Sequence, residues 1–378
     1  MRLEQSLWTE ENGWQRPSAG LGPSAQLVFI FSSTTLIKQQ PHLARIQAAY
    51  PRAQLFGCST AGEIHGTEVH DHSLTITAVH FEYTESVLTH VKIRGAEDSL
   101  QAGETLGRAL AKSGLAHVLV LSEGLHINGS DLVEGLMRHL PSGVAVTGGL
   151  SGDGERFKET YVLWEGQALQ NCIAAVGLYG SRLRVGYSSL GGWDSFGPER
   201  LITRAQGNVL YEMDGKSALE LYKKYLGDHA HDLPASGLLF PLSLRTREGE
   251  TGVVRTILAI NEQEQSLTFA GDIPAGAYAR LMKANFDRLI DGASGAAKVS
   301  HAAMGHTAPQ LALLISCVGR KMVLKQRIEE EVEGVREVLG PGTVLTGFYS
   351  YGEISPFTPS AKCELHNQTM TITTFAEE

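Results

Sequence analysis

Two turns, one near each end of the chain, carry its most chemically suggestive side chains. "FGCSTAGEI" at 56–64 gathers the Cys58 thiol, two hydroxyls and the Glu63 carboxylate within a few residues. "TGFYSYGEI" at 346–354 repeats the glycines and sets Glu353 where Glu63 stands. A thiol becomes a nucleophile when a nearby cation or helix terminus lowers its pKa; without one, Cys58 is a small packing residue. Each glutamate has two possible uses, capping an exposed backbone donor or pairing with a ligand. Ser59 lies too far from Gly62 for the GxSxG elbow of a hydrolase.

Histidines supply the second set of candidates. "HDH" at 70–72, "DHAHD" at 228–232 and "HAAMGH" at 301–306 each bring two imidazoles together, but none completes a zinc ligand set. His366, in "CELHNQT", sits on an otherwise apolar strand face. It reads either as a core histidine with satisfied nitrogens or as an axial ligand to iron in an apolar pocket. Two glycine-rich stretches fail as nucleotide sites. "GGLSGDG" at 148–154 leads into the strand-like "ERFKETYVLW", with no helix N-terminus to receive a pyrophosphate. "GKS" at 215–217 would need glycine where Leu210 stands to be a phosphate loop.

The elements that must position these groups recur along the chain. "AQLVFIFSS" precedes the first turn and "PQLALLISC" the second; both read as short buried strands. A helix-like stretch follows each, the second running over Lys321–Leu339 with Leu324, Ile328, Val332, Val335 and Leu339 at helical spacing and Gly340 ending it. Its "EEEVE" segment reads as a solvated face or a docking surface. After each turn comes an alternating run, "HDHSLTITA" from His70 and "HNQTMTITT" from His366, so these two histidines hold matching places. A middle copy shows in "HVLVLSEG", a helix with Ser130 as its expected N-cap, and "GVAVTGGLSGDG". "MDGKSALELYKKYLG" predicts a further capped helix ended by Gly227. Repeated strand-helix-strand units predict an α/β fold with helices covering sheets, and glycine turns at strand ends, where open α/β sheets bind ligands.

Composition fits a soluble globular chain: 42% hydrophobic and 19% charged over 378 residues. A net charge of −9, with no Lys/Arg block, argues against nucleic acid. The acidic, polar "MRLEQSLWTEENGW" is no secretory signal, and no apolar run is long enough to span a bilayer, so a cytoplasmic protein with no membrane segment is expected. The four cysteines lack CxxC spacing and are expected reduced and mostly buried.

Eight ordered blocks, from "FGCSTAGEI" and "GLHINGSDLVEGL" through "GNVLYEMDGKSALELYKKYLG" to "TGFYSYGEI" and "CELHNQTMTIT", resemble the FIST family, named for F-box and intracellular signal transduction proteins. The resemblance implies two FIST modules of repeated strand-helix-strand units, at 26–212 and 213–378 behind an N-terminal tail of 1–25. It implies a non-catalytic, bacterial ligand sensor linked to signalling. Stand-alone members of this kind bind haem, sense nitric oxide and act on a separate histidine kinase in a two-component system. The implied ligand-binding set is Gly57, Cys58, Gly62, Glu63, Asn128, Asp153, Gly347, Gly352 and Glu353. His366 is the implied haem ligand, with His70 and His126 as alternatives. A rival reading is a haem-free receptor for a small metabolite such as an amino acid, its ammonium group paired with Glu63 or Glu353. A third is an enzyme with Cys58 as nucleophile.

Overall fold

The computed structural model describes residues 1–15, 20–246, 252–358 and 361–378. Its organising unit is one strand pair, used three times. In the first, Leu27–Ser32 and Gln54–Ser59 run parallel beneath the helix Gln40–Ala49, and Leu74–His80 returns antiparallel to Leu27–Ser32. In the second, Leu115–Ser122 and Ala145–Leu150 run parallel, joined through the helix Gly129–Met137, and Cys172–Tyr179 returns. In the third the same parts are Leu311–Cys317, Val344–Ser350 and Met370–Glu377. The strands Leu27–Ser32, Ala145–Leu150, Cys172–Tyr179 and Leu311–Cys317 are buried at every residue, as apolar runs packed on both faces must be. The α/β fold expected from the sequence is the one observed, with three repeats where the two most alike are the first and last.

The parallel pairs are unusually close at one rung. A Cβ on Gly57, Gly148 or Gly347 would lie 1.9, 1.8 or 1.8 Å from the main-chain oxygen of Ile30, Val120 or Leu314 respectively. Only glycine fits, so these positions are set by packing between strands rather than by a ligand.

Each repeat lends a hairpin to another. The hairpin of Glu63–His65 and Glu68–His70 extends the sheet of the third repeat through Val344–Ser350. The hairpin of Val162–Trp164 and Gln167–Leu169 extends the first through Gln54–Ser59. That of Gly352–Pro356 and Cys363–His366 extends the second through Ala145–Leu150. The exchange is cyclic, and among the described residues it gives sheets of seven, six and six strands. A fourth sheet, of eight strands, lies wholly within Trp193–Ala284, an insertion between the outer strand Leu183–Leu190 and the helix Phe286–Ala303 of the third repeat. This inserted domain has its own apolar core, including Leu210, Tyr222 and Phe269. Its helix Ala218–Leu226 is capped by Ser217, whose hydroxyl accepts from the Glu220 N–H, and ends at Gly227 with φ 57°.

Several local expectations are corrected. The expected tail of 1–25 holds a strand instead: Arg2–Thr9 is the outer strand of the first repeat, paired from Arg2 to Trp8 with Leu74–His80 and burying Glu4, Ser6 and Leu7. Its polar composition hides a strand whose buried partners are hydrogen-bonded. The division at 212/213 falls inside the strand Val209–Met213 of the inserted domain. "HDHSLTITA" and "HNQTMTITT" are not single strands, because His72 (φ 56°) and Gln368 (φ 65°) turn the chain between hairpin and return strand, as Asn171 (φ 51°) does in the second repeat. The N-cap of Gly129–Met137 is Asn128, whose side chain accepts from the N–H groups of Ser130 and Asp131, in place of Ser130. The stretch Lys321–Leu339 is two helices, Val318–Leu324 and Ile328–Leu339, broken where Lys325 takes φ 49°.

Candidate functional site

The two glutamates of the matching turns do the same structural work. Glu63 accepts from the Thr60 hydroxyl on one oxygen and from the Ser73 N–H (3.1 Å) and hydroxyl (2.7 Å) on the other. Glu353 accepts from Ser350 Oγ (2.6 Å), then from Thr369 N (3.2 Å) and Oγ1 (3.0 Å). Each carboxyl thus ties the start of an exported hairpin to the return strand that follows it. Both are buried, and burial pushes their pKa up from the usual carboxylate range to about 7 for Glu63 and about 8 for Glu353. Their acceptor positions are occupied from within, which leaves little for a ligand ammonium group.

A raised acid pKa means that the fold favours the protonated form. The stabilising contribution is full below the ordinary carboxyl pKa and is lost as pH rises through about 7 and about 8. A Glu63→Gln/Glu353→Gln variant mimics the protonated state, so its melting temperature should fall less than that of the parent between about pH 5 and about pH 9. The shift at Glu63 alone corresponds to about 3 kcal/mol. Parallel pH curves for the two proteins would refute this reading.

Two cavities flank this framework. The first, of about 360 Å³, opens at the strand ends of the first repeat and is lined by Thr34, Gly62, Glu63, Asp153, Arg156 and Lys321 among others. It draws on all three repeats. The second, of about 470 Å³, lies between the inserted domain and the third repeat, with Trp193, Val254, Met282, Leu190 and Phe357 in its walls and His366 among its lining residues. Both volumes suit small-molecule ligands.

His366 is 1% exposed, and burial draws its pKa down to about 4, so the ring is neutral. Its Nε2 lies 2.7 Å from the Ser355 carbonyl oxygen, which can only accept; Nε2 therefore carries the proton. Nδ1 is left with a bare lone pair and has no hydrogen-bond partner among the described residues. The other two histidines considered for iron differ. His70 Nε2 lies 3.1 Å from Glu68 at the surface, and His126 is 64% exposed with Nδ1 3.6 Å from Glu123. The chemistry of a metal-ready imidazole, neutral and held by a carbonyl on its far nitrogen, is that of His366. Among the described residues no group of three or more His, Cys, Asp or Glu side chains is arranged to hold a metal ion.

The remaining sequence candidates separate. Gly62, Glu63 and Asp153 meet in the first cavity. Gly57 and Gly347 belong to the close strand pairs, and Gly352 packs where a Cβ would meet Leu150 and Leu365 at 2.9 and 3.1 Å. Asn128 caps its helix and donates through Nδ2 to Asp272 (2.7 Å), joining the second repeat to the inserted domain. Cys58 lies in the apolar cluster with Phe29, Phe31 and Phe56, where burial pushes its thiol well above the usual range, so it is not a poised nucleophile. All four cysteines are buried and free. Nothing local in the chain points to Trp193, Met282 or Phe357 beside His366, nor to Lys321 and Arg156 beside Glu63. They converge from segments far apart in the chain.

The FIST N domain profile matches residues 26–216 and the FIST C domain profile residues 218–356. The chain belongs to the FIST family. This places it among signal-transduction sensor domains. Its FIST N segment holds the first two repeats, apart from the outer strand Arg2–Thr9, and the outer strand of the third, so the family's division runs through the inserted domain. A curated relative, an uncharacterized protein of Methanocaldococcus jannaschii, is 22% identical over 299 residues, 71% of this chain and 56% of that protein. The FIST chain thus spans about half the length of that relative. Among solved structures, a chorismatase aligns over 99% of this chain and 98% of its own, at 9% identity and a TM-score of 0.35. A cyanuric acid hydrolase from A. caulinodans aligns over 95% and 91%, also at 9% identity and 0.35. Among the described residues no helix is long and apolar enough to cross a membrane.

Proposed function

We propose that this FIST protein is a non-catalytic, cytoplasmic haem-binding sensor of nitric oxide that regulates a separate histidine kinase. The observation that carries the proposal is a neutral, buried His366 that lines an apolar-walled cavity and whose buried Nδ1 has no hydrogen-bond partner among the described residues. That donor fits haem iron, which when bound supplies an open coordination position for a diatomic gas. His366 would hold the iron through Nδ1, while the Ser355 carbonyl keeps the ring's proton on Nε2 and fixes its orientation. The Phe357 ring, 4.0 Å from the imidazole between centroids, and the Trp193 indole, anchored by Nε1–H to the Gln368 carbonyl (3.0 Å), supply the apolar surface.

The route outward runs through the hairpin that carries His366. Arg255 Nη1 donates to the Leu365 carbonyl (2.9 Å), the Thr256 N–H to Asn367 Oδ1 (3.2 Å), and Gln368 Nε2 to the Leu238 carbonyl (2.9 Å). All three partners belong to the inserted domain, so a change in the position of His366 would be felt there. A coupling of about 1 to 3 kcal/mol between gas and kinase binding is enough for a useful switch.

The test is an absorption spectrum of protein made with ample haem precursor, reduced and then exposed to nitric oxide. A stoichiometric Soret band that shifts with the gas, and that is lost or altered in a folded His366→Ala protein, is expected. Colourless protein after reconstitution, or an unchanged spectrum in the variant, would refute the assignment.

A further inference from the structure

We infer that the cavity at the strand ends of the first repeat is a second binding site, independent of His366, for a small organic acid held by Lys321 and Arg156. It is the polar cavity of about 360 Å³ to which all three repeats contribute.

The three repeats are not equivalent there. In the third, the turn residue Gln368 is gripped by the inserted domain, its Nε2 donating to the Leu238 carbonyl and to Thr256 Oγ1 (3.0 Å). In the second, Tyr351 and Phe157 stack across the corresponding corner with ring centroids 4.2 Å apart. In the first, the matching turn residue His72 is exposed and opens on the cavity.

The class of ligand follows from which hydrogen-bonding capacity is left unused. Asp153 spends one oxygen on Thr34 Oγ1 (2.6 Å) and Arg156, and the other on the N–H groups of Lys158 and Glu159 (3.3 Å each). Glu63 is saturated by Thr60 and Ser73. The acceptors inside the cavity are therefore largely used up, while Asp71 and Glu155 stand exposed at its rim. Donors remain. Lys321 Nζ gives two of its three protons, to the Ala61 carbonyl (2.8 Å) and to Asp71. Arg156 engages its neighbours through Nη2 alone, which leaves the rest of the guanidinium without partners among the described residues. Gly62 makes room for the ammonium, since a Cβ there would lie 2.5 Å from Lys321 Nζ. Beside these donors lie Ala61, Val318 and Met322, an apolar strip for an organic body. Unused cationic donors next to that strip select a carboxylate on a carbon skeleton over a bare inorganic anion.

Titration calorimetry on the full chain, with succinate, benzoate, glycine and inorganic phosphate as probes, tests the site. At least one of the two organic acids should bind saturably at one per chain, more tightly than glycine or phosphate. Arg156→Gln and Lys321→Met should each weaken that binding about tenfold or more. Arg156 is half exposed but is the ion partner of the buried Asp153, so the melting temperature of each variant is read alongside, and Arg156→Lys, which keeps a cation beside Asp153, should fold as the parent does and still bind the acid several-fold more weakly. The inference is overturned if neither acid binds, if phosphate or glycine binds as tightly, or if Arg156→Gln binds normally. Since the readout involves no haem, failure here and failure of the haem assignment are separate results.

Discussion

Glu331→Gln should unfold more of this protein than any other single change on its helix. Glu331 sits in the middle of the "EEEVE" segment that reads as a solvated face, yet it is wholly buried. Arg320, equally buried, donates to its Oε2 from Nε (3.0 Å) and Nη2 (2.7 Å), and Tyr349 and Ser316 donate to Oε1 (2.6 and 3.1 Å). The guanidinium also reaches the Leu289 carbonyl (2.6 Å) and the Gly191 carbonyl (3.3 Å). Removing one partner of such a pair strands the other charge, at a cost of about 3 to 5 kcal/mol, whereas replacing both by apolar groups of similar volume is often close to neutral. Urea unfolding should therefore show a loss of about that size for Glu331→Gln and a smaller one for Arg320→Met/Glu331→Leu. A single variant as stable as the parent would show that the pair is not a support of the fold.

Gly347→Ala should be comparably severe for a different reason. The new methyl would sit 1.8 Å from the Leu314 main-chain oxygen, in the middle of a parallel ladder. Backbone cannot yield as a side chain can, so the strands must part and rungs be lost, costing about 3 kcal/mol or more. Gly342→Ala, where nothing lies within 4 Å, is the control and should change stability little. Equal melting temperatures for the two variants would mean that the close approach at Gly347 relaxes freely. The same change at Gly57 should behave as at Gly347, since its contact with Ile30 is the same.

Local chemistry in the sequence was readable where neighbours in the chain decide the outcome. The buried runs Leu27–Ser32 and Leu311–Cys317, the capped helix Ala218–Leu226 and the likeness of the two end turns are of this kind. The likeness of Glu63 and Glu353 was visible, but their task was not, because Ser73 and Thr369 lie beyond a hairpin whose own pairing is with a distant repeat. The middle copy was harder to see as an equal, since Asp153 and Gly154 stand where the other turns have glycine and glutamate. Glu331 misled because helical spacing shows which face a residue occupies and cannot show that Arg320 waits behind it. The His366 cavity depended on Trp193 and Met282, which only the placement of the inserted domain brings near.

The cyclic loan of hairpins has a consequence for how this chain came to be and how it can be cut. A repeat taken alone offers a donor arm to one neighbour and an acceptor edge to another, so three identical copies would complete each other as a ring. The polypeptide is in effect that homotrimer strung on a single thread. Because the copies are joined, each corner can change without altering the others: one is covered by an inserted domain, one is closed by stacked rings, and one stands open. Severing the thread between the family's two halves, at about residue 217, would leave arms and edges unmatched, and fragments would seek them in one another.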